Sequence, residues 1–259
     1  MILLHVVAFR LDLDSKQNTP WHSLAPQTRL LCVFTSVFAI ALTPHGRWWT
    51  WAIYGLGVFG VVLLSRVTLL TLLKRVAIEF AFLVVVLLGT LFRDGGTVLW
   101  SWGPLQVTTE GLTVLGSVTL KVVLSLFAVN ILVLTTSIPA LLHAFLVLRV
   151  PPLLVAIMAS MYRYTGVLIA EFNTMRQAAM ARNLTIDNAT TRLVIGNAIG
   201  ALFIRTYERG ERIYQAMLAR GYQGFLPIEH FPHLKQWDIF VLTVTAIWTI
   251  IGQIIYLPR

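Results

Sequence analysis

One cysteine, Cys32, is all the thiol this chain possesses, so a disulfide framework and a Cys-based metal site are both excluded. It lies in an apolar stretch, where a thiol acts as a small buried hydrophobe. Charge is scarce as well. Asp, Glu, Lys and Arg fill 12% of the 259 positions while hydrophobic residues fill 57%, against roughly 25% charged residues in soluble domains. Too few polar side chains remain to clothe a surface in water, and the chain reads as a membrane protein. Catalytic signatures are missing too. There is no Gly-x-x-x-x-Gly-Lys-Ser/Thr phosphate loop, which excludes an ATPase, and neither HExxH nor Gly-x-Ser-x-Gly occurs. No enzyme activity and no resident cofactor are expected.

What is present in excess is positive charge, with a formal net of +9. A nucleic acid or an anionic surface would answer it, but in a polytopic protein Lys and Arg collect on the cytoplasmic side. With the N-terminus inside, sixteen of the twenty fall in inner segments and three, Arg47, Arg93 and Arg259, in outer ones. Topology therefore accounts for the charge, and no nucleic-acid partner is needed. The first ten residues, MILLHVVAFR, carry no small-residue cleavage site and read as part of the mature chain rather than a removed signal peptide.

A helix of about 17 to 25 apolar residues crosses a bilayer. Five stretches qualify, at 28–45, 48–64, 76–92, 110–135 and 237–257. Between the third and fourth, RDGGTVLWSWGPLQVTTEG has the Gly, Pro and β-formers of a hairpin-like outer loop. Residues 136–150 read as a short connector helix, opened by Thr136 or Ser137 and Pro139 and stopped by Pro151-Pro152. Two long helices follow, from about Pro152 to Arg182 and from about Thr191 to Arg220. Each starts with a short apolar run, turns charged and finishes on Ala-Arg. Arg163, Glu171 and Arg176 at membrane depth would cost about 2.5–3.5 kcal/mol for each central charge, so the pair is placed on the cytoplasmic face rather than counted as a sixth and seventh span. The expected organisation is 1–135, a membrane region of four spans; 136–236, a coupling region; and 237–259, the last span.

The two Ala-Arg ends are nearly copies, AAMARN at 178–183 and QAMLARG at 215–221. A helix end is commonly closed by a left-handed Gly or Asn, which Gly221 and Asn183 suit. Arg182 and Arg220 then stand in the last turn, where a cation complements the helix dipole. Small residues and a flexible Met around each Arg let such a tip enter a groove, and a planar guanidinium can pair with a carboxylate there.

The segments LRVPPLLVAIMASMYRYTGVLIAEFNTMRQAAMARN and IRTYERGERIYQAMLARGYQG closely resemble the transmembrane T component of energy-coupling factor transporters, the EcfT group, in its cobalt-type CbiQ branch. The resemblance implies an all-α polytopic membrane protein with about five transmembrane helices, two long cytoplasmic-face coupling helices and a connector helix. It implies three kinds of partner: two ABC ATPase subunits, a membrane-embedded S component that binds substrate, and the lipid bilayer. By position, Ala181, Arg182 and Asn183 form one ATPase-docking tip and Ala219, Arg220 and Gly221 the other. Asn183 departs from the Gly of the family pattern. The function implied is a non-catalytic coupling subunit of an uptake system in the cell membrane, for cobalt or nickel ions, with a vitamin as the alternative substrate. A self-sufficient secondary transporter is the rival from another class, and would show facing charges or broken helices within spans.

Other residues invite roles. Lys121 lies inside the fourth span, and an intramembrane charge is a functional candidate. Glu79, in the third span, is a possible partner, and snorkelling is the alternative. Glu110 opens the fourth helix, where an acid suits the dipole. Glu208 and Arg212, four apart, stand as a stiffening pair or a solvated face. His230 and His233 are read as loop residues, short of a three- or four-ligand metal site. His5, His22, His45 and His143 fall in separate segments. The glycines of GLGVFG at 55–60 lie within a span and are expected to serve helix packing.

Overall fold

The computed structural model describes residues 19–44, 48–91, 98–102, 105–182, 188–223 and 235–254. Eight helices are described: α1 Pro26–Leu42, α2 Trp48–Ser65, α3 Leu69–Leu91, α4 Thr109–Thr135, α5 Ile138–Val147, α6 Pro152–Ala181, α7 Asn188–Ala219 and α8 Gln236–Ile254. Between α3 and α4, strands β1 (Val98–Trp102) and β2 (Leu105–Thr108) pair antiparallel, the hairpin that the Gly/Pro-rich loop foreshadows. The protein is thus an all-α membrane protein with one short hairpin. Two compact units are distinguished, residues 1–144 with 231–259, and residues 145–230.

Helix α3 begins seven residues before its expected apolar stretch. Thr68 accepts from the backbone N–H groups of Thr71 and Leu72, and the helix runs straight through Lys74 and Arg75 because long side chains at a helix end reach toward water. Among the described residues α4, α6 and α8 are long and apolar enough to cross a membrane, and α1, α2 and α5 are shorter apolar helices. Several hydroxyls in and at the ends of these helices are turned on their own helix's backbone. Ser36 donates to Cys32 O, Thr43 to Ala39 O and Thr135 to Ile131 O, which satisfies hydroxyls where water is absent.

In the first unit α1 and α4 form the centre. One core cluster joins Cys32 and Val33 of α1, Val62 of α2, Leu72 of α3, and Ala128, Ile131 and Leu134 of α4. A second joins Ile40, Trp51, Tyr54 and Val58, with Trp248 of α8 packed on it. The outer faces stay apolar: Phe34 is 67% exposed, Leu56 76% and Ile78 74%. An exposed apolar surface of that extent belongs in lipid.

Helices α2 and α8 meet through two reciprocal glycine–aromatic contacts. A methyl group on Gly57 would collide with the Trp248 indole, and one on Gly252 would lie 2.5 Å from Tyr54 Oη. The two rings themselves meet edge to face at 5.3 Å, and Trp248 Nε1 donates to Ile53 O at 3.3 Å. The packing role expected of the 55–60 glycines is therefore realised at Gly57. Tyr54 is fully buried, with Gln253 Nε2 donating to its hydroxyl at 3.3 Å, so the ring has no room to swing aside. Gly252→Ala is expected to destabilise the bundle by about 1–3 kcal/mol, the usual range for overpacking. Thermal unfolding of the purified protein in detergent measures this, with Tyr54→Leu restoring part of the loss; a melting temperature that does not fall with Gly252→Ala would show that the seam is not close-packed.

Candidate docking tips

The ends of α6 and α7 carry the tip residues. At the end of α7, Gly221 takes φ +80°. Its N–H donates to Leu218 O at 2.9 Å, and the next N–H, of Tyr222, reaches back to Met217 O at 3.0 Å. These paired bonds close a helix in a left-handed cap, which favours glycine because it has no Cβ. The chain turns sharply there and leaves Arg220 at the extremity. Ala219, Arg220 and Gly221 are all exposed.

At the end of α6 the last turn tightens instead. Arg182 has φ −93° and ψ 10°, and its N–H lies 3.3 Å from Ala178 O and 3.2 Å from Ala179 O. Ala181 and Arg182 are exposed. Asn183 lies outside the described residues. Both tips present alanines with one flexible neighbour, Met180 at 44% and Leu218 at 48% exposure, so the backbone of each can be approached closely. Three ion pairs occur among the described residues, and none involves Arg182 or Arg220.

Behind the tips, α6 and α7 pack on each other. Half-buried residues recur three and four apart, at Tyr164, Leu168, Glu171, Met175 and Ala179 in α6 and at Ala198, Leu202, Thr206, Arg209, Ile213 and Met217 in α7. That spacing gives each helix one less-exposed face, as expected where two helices meet. Within it stands a charge cluster that the sequence reading missed. Glu171 Oε2 lies 3.1 Å from Arg209 Nη1, and Oε1 lies 3.6 Å from Arg205 Nη1. The only signal in the sequence was the four-residue spacing of the two arginines, which puts them on one stripe of α7. By contrast Glu208 and Arg212 approach to 3.9 Å with 60% and 69% of their side chains exposed. At that exposure the pair is a solvated face worth little.

The intramembrane charges do not meet. Lys121 Nζ donates to Ala41 O at 3.1 Å, with the Trp51 ring centroid 6.0 Å away. It thus caps the carbonyl end of α1, where a cation is favourable. Glu79 accepts instead from Asn130 Nδ2 at 2.7 Å. Glu110 stands in the first turn of α4, whose cap is the Thr108 hydroxyl accepting from Gly111 N–H at 3.1 Å. His230 and His233 lie outside the described residues. Among those described, no three His, Cys, Asp or Glu residues gather as a metal site.

A second polar node was also invisible in the sequence. Arg29, 7% exposed, donates from Nε to Leu24 O at 3.1 Å and from Nη1 to Thr135 O at 2.5 Å, the carbonyl end of α4. Trp21 Nε1 donates to Thr135 Oγ1 at 3.1 Å. Asp238, 1% exposed, accepts from Ala25 N–H at 2.8 Å and from Lys235 N–H at 2.9 Å, and so serves the starts of α1 and α8 together.

Comparison with known proteins gives one family. The model of the cobalt transport protein family CbiQ matches residues 17–233. The chain is 31% identical over 216 residues to the energy-coupling factor transporter transmembrane protein EcfT 1 of Listeria monocytogenes serotype 1/2a (strain 08-5578), covering 78% of this chain and 80% of the relative. It is 29% identical to the energy-coupling factor transporter transmembrane protein EcfT of Bacillus subtilis (strain 168), covering 78% of this chain and 80% of that one. The relative of the same name from Ruminiclostridium cellulolyticum (strain ATCC 35319 / DSM 5812 / JCM 6584 / H10) is 24% identical over 92% of this chain and 95% of its own length.

Proposed function

The chain belongs to the CbiQ cobalt transport protein family, and from that premise we propose that it is the transmembrane coupling subunit of an ATP-driven energy-coupling factor uptake transporter. It hydrolyses nothing itself. Two ABC ATPase subunits grip the Arg182 and Arg220 tips from the cytoplasm, the N-terminus lies on the same side, and the paired helices pass the motion of ATP binding to a membrane-embedded S component. The observation that carries this reading is the pair of exposed arginine ends, one closed by a left-handed Gly221, on two long helices packed as a unit. An exposed tip of small residues is suited to insertion in a groove, and a packed helix pair resists bending between groove and membrane. The cargo is assigned as cobalt ions on the description of the family, with nickel as the chemically similar divalent alternative; ion selection is assigned to the S component.

Affinity isolation of the tagged chain from a membrane that expresses its neighbouring reading frames tests the proposal. Two ATPase subunits and one small membrane protein are expected in the eluate, and ATP-dependent cobalt or nickel uptake only when all are reconstituted. Uptake by this chain alone in liposomes would establish a self-sufficient transporter and refute the coupling role. Uptake of a vitamin by the full assembly would keep the role and replace the cargo.

A further inference from the structure

The ion-pair cluster between α6 and α7 is placed where a lever pair needs its pivot. Ala181 is ten residues beyond Glu171 and Ala219 is ten residues beyond Arg209, so each tip projects about 15 Å past the cluster at 1.5 Å per residue. The rest of the seam consists largely of apolar and small side chains, whose packing resists separation but tolerates sliding and rotation. A carboxylate held at both oxygens does not. Glu171 offers Oε2 to Arg209 and Oε1 to Arg205, one turn apart on α7, so a slide or a roll of α7 along α6 lengthens one pair or the other. The Glu171 side chain is 17% exposed and that of Arg209 37%, so this inner pair is screened less than a surface one; Arg205, 62% exposed, is the outer, solvent-screened arm that adds direction rather than strength. Charges within an apolar helix seam are best attested as devices that set register.

We propose that Glu171, with Arg205 and Arg209, is a positioning brace that locks the register of α6 on α7, so that displacement of either arginine tip moves the pair as one body. This rests on the coupling role proposed above. Without the brace the tips still dock, but ATP-driven motion is spent in slippage between the helices.

Two readouts test it. In the first, the full chain in nanodiscs, in a Cys32→Ala background, carries spin labels at Gln177→Cys and Gln215→Cys, both exposed positions. Glu171→Gln, nearly the same size but neutral, is expected to broaden the inter-label distance distribution. The charge-reversed triple Glu171→Arg, Arg205→Glu, Arg209→Glu is expected to narrow it again. An unchanged width for Glu171→Gln overturns the brace, as does failure of the reversed triple to narrow it. In the second, the reconstituted transporter with Glu171→Gln keeps its ATPases and its hydrolysis rate, while substrate imported per ATP falls about five-fold or more, the low end of typical coupling between sites. Retained uptake per ATP overturns the proposal. If the unsubstituted chain binds no ATPase, the coupling role fails, and the spin-label result still decides whether the brace exists.

Discussion

Arg182→Ala combined with Arg220→Ala is expected to strip both ATPase subunits from the purified complex and abolish uptake, while the membrane protein itself stays folded. The size of the effect follows from what a docked arginine does. Truncating one partner of a buried, hydrogen-bonded charge pair at an interface costs about 2–5 kcal/mol, or roughly thirty-fold to several-thousand-fold in affinity for each tip at 1.4 kcal/mol per decade. Loss at one tip leaves the other as a tether, so each single variant is expected to retain part of the ATPase and the double variant none. Arg182→Lys and Arg220→Lys keep the charge but lose the planar fork, and belong between the wild type and alanine. Folding is spared because both side chains are exposed and the bonds that end α7 are made by backbone groups of Arg220, Gly221 and Tyr222. Quantitative co-purification of the ATPases with the membrane subunit reads the result. Stoichiometric ATPase in the double variant would remove the tips from the interface.

A loss of comparable weight, in stability rather than assembly, is expected from Asp238→Ala. Helix α1 begins at Pro26 behind Ala25, a residue with no side chain able to cap it. Asp238, from the far end of the chain, instead anchors the residue ahead of the helix, its carboxylate 2.8 Å from Ala25 N–H. Its other oxygen closes the start of its own helix through Lys235 N–H at 2.9 Å. One carboxylate therefore satisfies two helix starts and favours both dipoles. Each cap is worth about 0.5–2 kcal/mol, and the carboxylate also acts on the buried Arg29, which loses its nearby counter-charge on truncation. Together these give about 2–4 kcal/mol, or a fall in melting temperature of about 5–15 °C for a domain of this size class. Asp238→Asn keeps an acceptor oxygen for one cap and is expected to lose about half as much. The measurement is thermal unfolding in a fixed detergent. An unchanged midpoint for Asp238→Ala would mean that α1 and α8 are held at this end by packing alone.

Different kinds of residue differ in how openly the sequence declares them. Gly221 was legible because a left-handed helix end is written within six residues, from Met217 to Tyr222. Helices α2 and α4 were legible to within a residue because a bilayer demands an uninterrupted apolar run. The α3 start was not: its first turns hold Leu69 to Leu73, and Lys74 and Arg75 break the apolar count without breaking the helix. Lys121 read as a charge in mid-span, yet it caps α1, whose last carbonyls reach its level. Glu171 read as a cost at membrane depth, whereas its partners stand 34 and 38 positions further on.

By itself the sequence determined a membrane protein, helical throughout its spans, with two long helices that end in matching arginine tips. These properties rest on composition, on periodicity and on caps, all of which act between neighbours in the chain. The tertiary structure alone decided the distant partners of the inward-facing charges: Asp238 for the start of α1, Arg29 for the end of α4, Glu171 for two turns of α7. Such pairings join residues separated by tens to hundreds of positions, and nothing in a residue's own neighbourhood states which distant group the packing will bring within bonding distance of it.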